Sequence, residues 1–140
     1  MKTILVGYDD TDSAKRALAR AAEYAKAFDA KVVVTSVTPL HPGTARGVGP
    51  IDPTDNRAMH DDQLEHAAAA LAEEGIAAEL VPAIGDPAGA IVSLAEEHKA
   101  DLVVIGTREP HLVERLMRHS VSRDVAHTVR RDLLIVHPEH

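Results

Sequence analysis

A chain of 140 residues can bury one core but is short for two domains. With two Tyr, one Phe and no Trp, that core must come from Val, Ile, Leu and Ala, and single-stranded nucleic acid has no stacking platform. A net charge of −7 disfavours nucleic acid and anionic membranes, and the lack of cysteine excludes disulfides, thiolate zinc sites and cysteine nucleophiles.

Met1 and Lys2 run directly into the strand-like TILVGY, and no segment reaches the ~18 apolar residues of a membrane span. The expectation is a soluble, cytoplasmic protein forming a single domain over residues 1–140.

Thr3 to Tyr8 is a short continuous apolar run, the pattern of a strand buried on both faces. Asp9 to Asp12 break it, and Asp10, Thr11 or Asp12 can cap a helix with Ala14, Leu18, Ala21, Ala22 and Ala25 on its inner stripe. For Asp10 and Asp12 capping is the favoured role; Asp9, at the strand end, is read as functional. Lys31 to Val37 is a second buried strand, so the first three elements make a βαβ unit and the sheet is parallel.

Four prolines and three glycines make 39–56 a flexible loop. A helix over Arg57–Glu74 buries Leu64, Ala67, Ala68 and Leu71 and ends at Gly75. The third strand, Ile76–Ile84, carries Pro82 and therefore belongs at a sheet edge. Asp86 and Pro87 are cap and first residue of a helix to about Lys99 that buries Ile91, Val92 and Ala95. A strand at Leu102–Ile105, a helix at Ser120–Arg130 and a strand at Leu133–Val136 complete an α/β chain with an open five-stranded parallel sheet and helices on both faces, Rossmann-like.

The stretch 101–123 is the candidate ligand site. An apolar run ends at Gly106, an arginine-rich connection follows, and a Ser-led helix begins at Ser120. Residues 106–123 hold four arginines (Arg108, Arg115, Arg118, Arg123) against two glutamates (Glu109, Glu114), a local charge of +2 that suits an anion at a strand end and helix N-terminus.

No catalytic or metal site is read from the sequence. No two of the nine histidines stand four apart on a helix, so they are taken as surface residues. Ser93 and Ser120 lack the G-x-S-x-G elbow of a hydrolase, and nothing near Gly106 pairs a base with a nucleophile.

ILVGYDDTDSA, GDPAGAIVSLAEEHKADLVVIGTR and HSVSRDVAHTVRRDLLIVHP, in this order and spacing, resemble the universal stress protein family over nearly the whole chain. The resemblance implies an open five-stranded parallel sheet, a homodimer through the C-terminal strand Leu133 to Val136 and, in one branch, ATP binding with Mg²⁺ as its companion. It places the adenosine contacts on Asp9 and Val37, the start of the phosphate motif on Gly106, its closing hydroxyl on Ser120 and the flanking apolar residues on Ile105 and Val121, to which the charge pattern adds Arg108. The motif runs Gly, two residues, Gly, nine residues, Gly and a hydroxyl; here Glu109 and His119 replace its second and third glycines.

A side chain at Glu109 removes the close backbone approach that glycine gives, and Pro110 extends it further. Two unit charges ~5 Å apart at an effective dielectric of ~20 repel by roughly 3 kcal/mol. The expected function is a regulatory module binding ATP, ADP or AMP at the carboxyl edge of the sheet, with the terminal phosphate penalised. The alternative is a scaffold of the same family that has lost nucleotide.

Overall fold

The structure, a computed structural model, describes residues 1–39, 56–106 and 131–137. Its elements are β1 (Thr3–Gly7), α1 (Asp12–Phe28), β2 (Lys31–Thr38), α2 (Arg57–Glu73), β3 (Ala78–Ile84), α3 (Pro87–Glu97), β4 (Leu102–Gly106) and β5 (Asp132–Val136). The strands form one sheet in the order β3-β2-β1-β4-β5, and every neighbouring pair is parallel. The expected α/β class and parallel sheet are therefore present, with Pro82 exposed on the edge strand β3.

The strands are continuous apolar runs because helices cover both faces, so neither parity of the pleat can be polar. Ile4, Val6, Val32, Val34 and Val104 face α1 and α2. Leu5, Val33, Val103 and Ile105 face the other way, onto Leu94, Ala95 and Ile91 of α3. On α1 the buried stripe is almost all alanine (Ala14, Ala17, Ala21, Ala22, Ala25), with Leu18 the one large member. Small side chains bring the helix axis close to the sheet, which matters at the helix's first turn.

Two boundaries move from the sequence reading for one reason. After α2, Gly75 takes φ 77°, its N–H bonds Ala72 O and the N–H of Ile76 bonds Leu71 O, a Schellman closure. Ile76 is thus still part of the helix end, and β3 begins at Ala78. At the end of α3, Lys99 takes φ 51° and the N–H of Ala100 returns to Ala95 O, so the helix stops at Glu97. Its inner face is Leu94 and Ala95, with Val92 on the flank only half-buried.

The 39–56 loop, beyond Pro39 and Asn56, and the helix expected at Ser120–Arg130 lie outside the described residues. Among the described residues no helix is long and apolar enough to cross a membrane.

Candidate functional site

The chain builds β2 and β3 outward on one side of β1, and β4 and β5 on the other. The order reverses between β1 and β4, and open α/β sheets bind ligands outside the carboxyl ends of the strands at such a reversal. Three segments converge there: Tyr8 to Thr11 leaving β1, Ile105–Gly106 ending β4, and the first turn of α1.

Gly106 and α1 are in backbone contact. A Cβ on Gly106 would stand 2.5 Å from the carbonyl carbon of Ser13, 2.6 Å from its oxygen and 2.7 Å from Ala14 N. Only glycine lets the helix start pack on the strand end this closely. This packing reason for Gly106 holds with or without a ligand.

Asp9 is held by Thr11. The Thr11 amide and hydroxyl both donate to Asp9 Oδ1, at 3.2 and 2.6 Å. Thr11 Oγ1 in turn accepts from the amide of Ala14 at 3.2 Å, which makes Thr11 the N-cap of α1. A helix start, a cap and a carboxylate are locked in series, and among the described residues nothing bonds Asp9 Oδ2.

Asp10 is not a cap. It takes φ 62°, the left-handed region, and its Oδ2 bonds Nδ1 of His66 on α2 at 2.8 Å. Tyr8, buried beneath it, has its hydroxyl pKa raised well above the usual tyrosine value, first by burial, then by its hydrogen bond to Asp10 and by the charges of Asp10 and Asp9.

The other expected site residues divide. Val37 is half-buried near the carboxyl end of β2, two residues beyond Thr35, whose carbonyl accepts the Tyr8 amide at 2.9 Å. Ile105 is buried on the α3 side, where a Cβ on Gly7 would meet Ile91 Cδ1 at 3.2 Å and Ile105 Cγ2 at 3.4 Å. Asp9, Ile105 and Gly106 thus flank the reversal, with Val37 on the adjacent strand. Arg108, Glu109, His119, Ser120 and Val121 lie outside the described residues.

Three features escaped the sequence. The Asp9–Thr11 bond is a local side-chain turn that the capping pattern hints at but does not assign. The Asp10–His66 pair is 56 residues apart in the chain and leaves no local signal. His60, expected at the surface, is buried against Ser36, whose hydroxyl also donates to Gln63 Oε1 at 2.7 Å, fastening α2 to β2.

A groove of about 610 Å³ between α1 and α2 is lined by Tyr8, Asp10, Lys15, Leu18, His66 and Glu73 among others. It lies on the α1–α2 side of the sheet, whereas Ile105 packs toward α3, and it meets the turn leaving β1 only at Tyr8 and Asp10. Among the described residues no cluster of three or more His, Asp or Glu side chains is placed to hold a metal ion.

The architecture is that of an open parallel α/β protein whose strand order reverses between β1 and β4. The chain belongs to the universal stress protein family, whose model matches residues 1–137. It is 34% identical over 151 aligned positions to the universal stress protein Rv1636 of Mycobacterium tuberculosis, covering 97% of this chain and 96% of that one. It is also similar to the solved structure of a universal stress protein in complex with cAMP (28% identity, TM-score 0.73, 99% and 98% of the two chains). A second similar structure is that of the Archaeoglobus fulgidus universal stress protein in complex with dAMP (27% identity, TM-score 0.71, 97% and 98%).

Proposed function

We propose that this universal stress protein is a regulatory module that binds an adenosine monophosphate, cyclic or open, at the carboxyl edge of the sheet between β1 and β4. The observation that carries the reading is Asp9: its carboxylate stands at the switch point with Oδ1 fixed by Thr11, and among the described residues Oδ2 has no partner, which leaves it to accept from a ribose hydroxyl. Structural relatives in complex with cAMP and dAMP, each similar over nearly the whole chain, support the ligand class.

In this reading Asp9 holds the ribose, Val37 packs on the base, and Gly106, Arg108 and Ser120, flanked by Ile105 and Val121, form the phosphate end. Glu109 and His119 in place of glycine select for the short phosphate. A carboxylate near a terminal phosphate costs roughly 3 kcal/mol, on the order of a hundredfold in affinity, and a monophosphate avoids that contact. Mg²⁺ then has no triphosphate to bridge and accompanies only ATP or ADP.

Isothermal titration with cAMP, AMP, ADP and ATP tests the proposal. Monophosphates bind at least tenfold more tightly than ATP if it holds; no heat from any of them at millimolar concentration overturns it. The second reading, a scaffold without nucleotide, draws on the same two substitutions. It requires that Glu109→Gly with His119→Gly create ATP binding absent from the parent.

We further propose a binding module rather than an enzyme, a cytoplasmic location consistent with the lack of cysteine, and a homodimer through Leu133 to Val136. Leu133, on the edge strand β5, is 42% exposed, an apolar edge that a second copy would cover. Phosphate release above background with Mg²⁺ and ATP, or a monomer mass by light scattering, would contradict the first and last of these.

A further inference from the structure

The Asp10–His66 pair lies outside the set of residues that hold the nucleotide in the reading above. Three observations make it more than a surface ion pair. Asp10 is the middle residue of the turn that closes when the Thr11 amide bonds Asp9 Oδ1, so its backbone angles decide where the Asp9 carboxylate points. Those angles are in the left-handed region, at φ 62°, which aspartate tolerates better than most residues but which still disfavours an L side chain. The side chain of Asp10 is held by His66 at 2.8 Å through Oδ2, and its other oxygen, Oδ1, is buried with no hydrogen-bond partner among the described residues.

We propose that His66 is a positioning residue for the nucleotide: through Asp10 it holds the Asp9 turn in its binding geometry, and the hold is stronger when the imidazole is protonated. This rests on the proposed nucleotide site. The physical path is short. An imidazolium–carboxylate bond is charge-assisted and stronger than its neutral counterpart, and imidazole changes charge between about pH 5 and 8. The side chains of His66 and Asp10 are 63% and 31% exposed, so solvent screens the pair and the effect is about two- to fivefold in affinity.

The charged surroundings are mixed. Among the described residues, Asp10 and Asp9 approach from the β1–α1 turn and Lys15 from α1, while Asp62, Glu65, Glu73 and Glu74 share α2 with His66. Tyr8 meets the pair through Asp10 and stays neutral across this range, its pKa being raised by burial.

The test uses the full-length protein and cAMP, whose phosphodiester keeps one charge over the whole range. Affinity is measured between pH 5.5 and 8.5 for the parent, His66→Gln, Asp10→Asn and the double variant. Asparagine suits the left-handed conformation and preserves the fold, so binding changes are read apart from unfolding, with thermal melting as control. The expected result is that each single variant binds cAMP about two- to fivefold more weakly at pH 6 and that the double variant is no weaker than the poorer single. The parent's affinity falls with pH by a factor that His66→Gln does not show.

Three results overturn the inference: parallel pH profiles in parent and His66→Gln, additive losses in the double variant, or lower melting temperatures with unchanged affinity. A parent that binds no nucleotide at any pH removes the underlying reading and the inference with it, whereas a parent that binds and variants that match it remove the inference alone.

Discussion

Thr11 donates its hydroxyl to Asp9 at 2.6 Å while accepting the amide of Ala14 at 3.2 Å, so one side chain starts a helix and aims a carboxylate. The consequence is separable by substitution. Thr11→Ser keeps both bonds, and Thr11→Val keeps the shape and loses both. Loss of an N-cap costs about 1 kcal/mol, or about 3 °C in melting temperature for a domain of this size. Thr11→Val is expected to melt lower by that amount and to bind cAMP several-fold more weakly, with Thr11→Ser close to the parent in both. A calorimetric melt and a titration on each variant check it.

Gly106→Ala places a methyl group 2.5 Å from the Ser13 carbonyl carbon, against backbone that no rotamer change can move. Forced overpacking of this kind costs about 1–3 kcal/mol or more. Urea unfolding is expected to show a loss of at least about 2 kcal/mol, within that range, with or without nucleotide present. A variant as stable as the parent would show that the α1 start is not packed on β4 as described.

Thr35 is wholly buried in β2, and its hydroxyl finds no partner among the described residues. A buried unbonded hydroxyl is unfavourable by about 1–3 kcal/mol, and valine fills nearly the same space. Thr35→Val is expected to stabilise the protein by about 1 kcal/mol in urea unfolding. A clear destabilisation would mean that the hydroxyl has a bonding role that the described contacts do not include.

The acid limb of stability has an identifiable contributor. Asp101 accepts the amides of Lys2 and Thr3 at 2.7 and 3.0 Å, and these bonds hold its carboxyl below the usual aspartate range. A folded-state pKa below the unfolded value, ~3.9 for aspartate, gives stability present above that value and lost as pH falls through the lower folded one. Asp101→Asn is therefore expected to unfold with a shallower pH dependence below about pH 4, read from denaturation midpoints at pH 2.5 to 7. Equal slopes for parent and variant would contradict the assignment.

How much of this was legible follows from the range over which each feature is encoded. The strands β1, β2 and β4 and the alanine face of α1 are local patterns, and the sequence carries them to within a residue or two. Pro82 marked an edge because a missing amide is tolerated only there. β3 starts two residues later than the pattern predicts because the Schellman closure after Gly75 recruits Ile76, whose apolar side chain reads as strand. Asp9 and Gly106 were visible at strand ends. What fixes them was not: the backbone contact of Gly106 with Ser13 joins segments 93 residues apart, and the Asp10–His66 bond joins two helices' worth of intervening chain. His60 reads as a surface histidine because nothing in its neighbourhood announces Ser36 as its buried partner.

The central claim is the location of the ligand, and amide chemical-shift mapping tests it most directly. On addition of cAMP to the ¹⁵N-labelled protein, shifts are predicted to concentrate at Gly7 to Ser13, Val37–Thr38 and Ile105–Gly106, around the reversal between β1 and β4. Shifts centred instead on Leu18, Ala22, Ala70 and Glu73, which line the groove between α1 and α2, would place the ligand elsewhere and contradict the account. A spectrum unchanged at millimolar cAMP would contradict it as well.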